Sequence, residues 1–183
     1  AVPPATAAPA DATAEAAAAD SAAPAAQRTL YRITEDGSEA RFKIDETLLG
    51  EPVTVVGTTS RVAGDLIVDF ASPAQSQVGV IAINARTLKT DQEFRDQAIR
   101  GQILQSSRDE FEFITFEPTG YTGLPDGPAQ VGDTLSFQVT GNLTIRDVTR
   151  EATFDTSVTV ETAERLSGTT STVIRYSDFD ITI

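Results

Sequence analysis

From Leu30 onward, apolar and polar residues alternate with a period of two. Ala40, Phe42 and Ile44 interleave with Glu39, Arg41, Lys43 and Asp45. Val62, Gly64, Leu66, Val68 and Phe70 form a second such run, and Leu135, Phe137, Val139, Gly141, Leu143 and Ile145 a third. Phe154, Val158 and Val160 continue the pattern, with Asp155 and Thr159 between them. Successive side chains of a strand point to opposite faces, so each run predicts a strand with one buried and one wet face. Such sheets are antiparallel as a rule. Turn signals separate the runs at Asp36-Gly37, Ser72-Pro73, Leu124 to Pro128, Arg146-Asp147 and Ser167-Gly168. About eight strands with a single apolar face bury it best by curling into a barrel, which also removes exposed edges.

Two stretches depart from the period. Thr90-Asp91-Gln92-Glu93 has the form of a capping box, and Phe94, Ala98, Ile99 and Ile103 then recur near helical spacing. This predicts one amphipathic helix over 91–104, placing Phe94 and Ile99 toward the interior. In Phe111-Glu112-Phe113-Ile114-Thr115-Phe116 the alternation slips phase at Ile114. A β-bulge, or burial of both faces beneath the helix, would account for that slip.

Residues 1–27 are dominated by Ala and Pro, and Val2 is the only apolar side chain there larger than these. They cannot bury enough surface to offset their ordering entropy, so they read as a disordered tail or linker ahead of the 28–183 domain. The chain starts at Ala1 and contains no Met, which fits a mature chain whose export signal has been removed. No window holds the roughly twenty consecutive apolar residues of a membrane-spanning helix.

Composition narrows the chemistry. With no His and no Cys, the chain cannot build a Ser-His-Asp triad, a Cys-His pair, a His-ligated zinc or a disulfide. An enzyme would have to work with carboxylates, Lys, Tyr, Ser or Thr. Among 27 acidic residues pairs such as Asp178/Asp180 and Asp65/Asp69 are inevitable, and their polar flanks point to solvated faces. No calcium loop or glycine-rich phosphate loop is present. The net charge of −13 repels phosphate backbones, which excludes nucleic acid as a natural partner.

What remains is the barrel interior, which at about eight strands can be filled by side chains or hold one small ligand. Alternation alone leaves both open. Burying about ten methylenes gains roughly 8 kcal/mol before association costs, which corresponds to about micromolar affinity without any catalytic residue.

Thr87-Leu88-Lys89-Thr90-Asp91 with Phe94-Arg95-Asp96 and Ile99-Arg100 resembles the loop-and-helix signature of the YceI-like family. Phe113 to Phe116 is similar to its central strand motif. Val139 to Arg150, followed by Ala152-Thr153-Phe154, resembles its most specific stretch, and Tyr176-Ser177-Asp178-Phe179 its late element. The motifs stand in family order across about 30 to 180. The resemblance implies an extended lipocalin-like antiparallel barrel, periplasmic or extracellular. It also implies an interior tunnel for a polyisoprenoid, a quinone tail or another long-chain lipid, held for transport or storage with no cofactor and no turnover. Alternation then nominates Phe42, Ile44, Leu66, Val68, Phe94, Ile99, Phe113, Phe137, Val139, Leu143 and Phe154 as lining residues.

Three positions depart from the family pattern. Ala98 stands where a His is usual, and Asp180 where a Gly commonly follows Ser-Asp-Phe. The chain also stops at Ile183, where family members continue into a closing strand. The expectation is a barrel lacking that strand, with a seam open to pairing between chains and room for a membrane tether outside this chain. The rival reading is a non-catalytic interaction domain with a filled core on a flexible stalk.

Overall fold

The computed structural model describes residues 28–48 and 50–182. The expected tail, 1–27, lies outside the described residues. Among the described residues there are eleven strands, in chain order β1 (Arg28–Arg32), β2 (Ala40–Leu48), β3 (Glu51–Thr59), β4 (Val62–Ala63), β5 (Asp65–Asp69), β6 (Gln77–Val78), β7 (Ile81–Asn84), β8 (Phe113–Thr122), β9 (Thr134–Ile145), β10 (Val148–Val160) and β11 (Leu166–Ser171). One helix, α1 (Glu93–Ala98), interrupts them. Every strand pair is antiparallel.

The strands form a six-stranded sheet in the order β11-β10-β9-β8-β7-β4, a three-stranded sheet β1-β5-β6, and the hairpin β2-β3. Together they make a curled half-barrel of lipocalin-like type. The strand expected over Val62 to Phe70 is broken at Gly64. Ahead of the break, Val62 and Ala63 pair with β7 in the large sheet; beyond it, Asp65 to Asp69 pair with β1 in the small one. One chain segment thus turns the corner between two sheets, which raises the strand count above about eight. The β2-β3 hairpin joins the rest through a bridge in which the N–H groups of Thr58 and Lys89 donate to each other's carbonyls at 2.8 and 2.9 Å.

The backbone of the fold is the β9-β10 ladder, closed by the two-residue turn Arg146-Asp147. Its register puts Leu135, Phe137, Val139, Gly141, Leu143 and Ile145 opposite Val158, Thr156, Phe154, Ala152, Arg150 and Val148 on the inward face. Its outer face is a hydroxyl ladder: Thr134–Thr159, Thr140–Thr153 and Thr144–Thr149 hydrogen-bond side chain to side chain at 2.8, 2.9 and 2.8 Å. Such pairs stabilise a sheet while leaving that face compatible with water.

The expected 91–104 helix is shorter and irregular. After α1 the chain forms a π-turn, Ile99–Ile103, closed by the Leu104 N–H donating to the Ile99 carbonyl at 2.8 Å. The wider turn brings Ile99 and Leu104, five residues apart, into the same buried cluster. The capping box does not form: Gln92 is the N-cap and has no side-chain cap bond. Instead the Thr90 hydroxyl and N–H both donate to Asp96, at 2.7 and 2.6 Å.

The phase slip at Ile114 has a simple cause. Phe111 lies in a 3-10 turn, Asp109–Phe111, and β8 starts only at Phe113, so the two Phe never share a strand. A register irregularity does occur in β8, but later, between Pro118 and Gly120.

Candidate functional site

The candidate site is the inward face of the curled sheet. Phe116 stands opposite Leu143, and Phe154 opposite Val139. The rings of Phe116 and Phe154 lie 4.6 Å apart, tilted by 59°. The Phe116 ring also lies over Gly141, where a Cβ would strike that ring and the carbonyl of Glu117. Across the interior, Phe42 lies over Gly57 in the same way. Small residues beneath large rings let the wall stay smooth and apolar.

Burial divides this face in two. At the end marked by the Arg146-Asp147 turn, Ala85, Leu88, Ile99, Leu104, Leu143, Ile145, Val148, Phe179 and Ile181 pack into a buried cluster. Phe179 is 1% exposed. Arg146 latches this end: its guanidinium donates to the carbonyls of Ile103 (3.3 Å), Phe179 (2.8 Å) and Asp180 (2.6 Å). Phe42 and Phe154 pack against that cluster yet are only half-buried, and so are Ile44, Leu66, Val68 and Phe137 beyond it. At the far end Tyr31 donates to the Ala163 carbonyl at 2.6 Å, and the Val78 N–H donates to the Tyr121 hydroxyl at 2.9 Å. A shallow hollow of about 480 Å³ opens on the opposite, polar face of the sheet, lined by Thr122, Ser136, Gln138, Asp155 and Ser157, and is not part of the apolar interior.

Of the residues nominated from alternation, Phe42, Ile44, Leu66, Val68, Phe137, Val139, Leu143 and Phe154 take inward register positions. Ile99 is buried in the cluster that closes one end. Two nominees sit elsewhere. Phe113 is paired with Asn84 on the outer face and is 47% exposed. Phe94 is 83% exposed, because at helical pitch it points about 140° away from Ile99, and Asp96 takes the inward position instead. Alternation missed Ile114 and Phe116, whose phase is legible once it is counted from Ile114, and Tyr121, which the register shift between Pro118 and Gly120 turns inward. It also missed Phe179, which lies in a 3-10 turn and carries no periodic signal.

The titratable groups of the region serve structure. Burial of Asp96 works to raise its pKa, but the two bonds from Thr90, with Arg100 and Lys89 nearby, outweigh that and hold it below the usual aspartate range. Burial, then the charges of Glu46 and Asp45, push the Tyr176 phenol up. That places the segment after β11 beside β2. Among the described residues no cluster of three or more His, Cys, Asp or Glu could hold a metal, and no helix is long and apolar enough to cross a membrane.

Comparison with known proteins agrees with this geometry. No curated protein matches the chain. Among solved structures, the crystal structure of BcnA from Burkholderia cenocepacia superposes with a TM-score of 0.62 over 81% of this chain and 84% of that one. At 16% sequence identity this similarity speaks to the fold alone. A family model described as the YceI-like domain matches residues 31–183, most of the chain and all of the sheet from Tyr31 onward. The chain belongs to the YceI-like family.

Proposed function

We propose that this protein binds one polyisoprenoid, quinone or other long-chain amphiphile along the inward face of its half-barrel, and carries or stores it without turnover. The observation that carries this reading is the half-buried apolar lining. Phe42, Ile44, Phe137 and Phe154 point inward yet stay partly open to solvent. In a filled core such large apolar side chains would be fully buried, as Phe179 is at the closed end. A continuous apolar face left open marks a binding surface.

Catalysis has no part in the reading, since a chain with no His and no Cys offers few of the usual acid, base and nucleophile designs. Export to the periplasm or cell exterior, with a membrane tether outside the chain, completes the proposal; fractionation of cells expressing the full gene tests it. Self-association also belongs here. Among the described residues the first half of β10, Val148 to Phe154, has β9 on one side and no strand on the other, and β2 pairs with β3 alone. Such edges invite an added strand. Sedimentation across a concentration series would reveal dimers formed this way.

The deciding experiment is native mass spectrometry of the purified protein, followed by organic extraction. A stoichiometric isoprenoid or acyl compound is the expected result. A clean unliganded mass, unchanged after incubation with a long-chain quinone and with oleic acid, would overturn the carrier reading in favour of an interaction domain.

A further inference from the structure

The inward face of the β9-β10 ladder carries one charged residue. Arg150 stands opposite Leu143, which is 6% exposed, and between Val148 and Ala152 on its own strand. Val148 belongs to the buried cluster and Ala152 packs against it. Arg150 itself is exposed: among the described residues this half of β10 pairs with no strand on its outer edge, although the 3-10 turn Tyr176–Phe179 packs on β10 nearby. Arg32, Arg61, Arg86, Arg108 and Arg165 are each held by an acid. Arg150 is not: among the described residues its one side-chain bond runs to the carbonyl of its neighbour Thr149, at 3.0 Å. The acids in the inward phase of the β2-β3 hairpin, Glu46 and Glu51, do not pair with it.

We propose that Arg150 reads the head group of the bound amphiphile, and that the preferred ligand is therefore anionic, a carboxylate or a phosphate monoester, its tail along the apolar face and its head at the open edge of β10. The inference rests on the carrier reading above and adds the ligand class. A guanidinium presents five donors in a planar fork that matches either oxyanion, and most of that fork is free. The protein's net charge of −13 disfavours anions everywhere else, so a preference for them needs a local cation at the binding face. The competing role for an inward charge on an open edge is to block strand addition.

Three probes that share one isoprenoid tail separate these roles: farnesyl phosphate, farnesoic acid and farnesol, titrated calorimetrically into delipidated protein at mildly alkaline pH. The expected result is that the two anions bind about tenfold more tightly than the alcohol, the gain of one charge-assisted hydrogen-bonded pair at a solvated site. Arg150→Gln should erase that preference while the melting temperature holds, and Arg150→Lys should retain part of it. Phosphate bound ahead of carboxylate would identify a phosphate head; the reverse order would identify a fatty-acid type. Equal affinity for anions and alcohol overturns the inference and leaves the carrier reading intact, as does a preference that survives Arg150→Gln. An Arg150→Gln protein that dimerises with its ligand preference intact assigns the residue to edge protection. Failure of all three probes to bind overturns both readings.

Discussion

The two ends of the β9-β10 ladder are built from the same alternating pattern and do different things. Near the Arg146-Asp147 turn the inward side chains meet Ile99, Leu104, Phe179 and Ile181 from the loops and are sealed from water. Arg146, at a φ of +56°, ties two of those loop segments to the turn through three carbonyls. Farther along, Phe137 and Phe154 follow the same alternation but remain half-buried, Phe154 packed against the edge of the sealed cluster. A strand pattern specifies which way a side chain points. Whether anything packs on it depends on chain segments remote in sequence.

The largest effect that tests this contrast is expected from Phe179→Ala, which empties the centre of the sealed cluster. It should cost about 3–5 kcal/mol in urea unfolding, while the folded fraction keeps its lipid affinity. Next comes Arg146→Gly, which suits the positive φ and removes the whole side chain with its guanidinium. A loss of about 1.5–3 kcal/mol is expected, or a fall of about 2–4 °C in Tm for each kcal/mol in a domain of this size. Phe154→Ala sharpens the comparison from the other side. Lipid affinity should fall about tenfold, with a smaller stability loss than Phe179→Ala causes, because the ring is already partly wet. If Phe154→Ala instead matched Phe179→Ala in stability and left binding unchanged, the open face would be core after all.

A smaller, pH-dependent effect is expected at Asp96. Its pKa is lowered in the folded state, so its stabilisation is fully present above the ordinary aspartate value of 3.8 and is lost as pH falls through the lowered value. Urea midpoints of the native protein and Asp96→Asn should therefore differ at neutral pH and converge in acid. Phe94→Ser should do least: a side chain 83% exposed should change stability by no more than about 0.5 kcal/mol and binding not at all. A clear loss of lipid affinity would show that Phe94 folds over the ligand when one is present.

By itself the sequence determined the strands, their inward faces and the absence of the commonest catalytic chemistry. Period-two alternation is a direct consequence of strand geometry, so Phe42, Leu66, Phe137 and Leu143 could be placed without coordinates. The helix was legible only in outline. Its buried face was decided by the Thr90–Asp96 hydrogen bonds and by the π-turn, and hydrophobic spacing carries neither, so Phe94 came out on the wrong side. Phe113 was misplaced because a 3-10 turn resets the phase of β8, and a local turn leaves apolar residues looking like strand. Tertiary structure alone decided three things: the corner at Gly64, the sealing of one end by Phe179, and the exposure of Arg150 on an unpaired edge. Each depends on which distant segment a strand meets, and nothing in a strand's own residues encodes that.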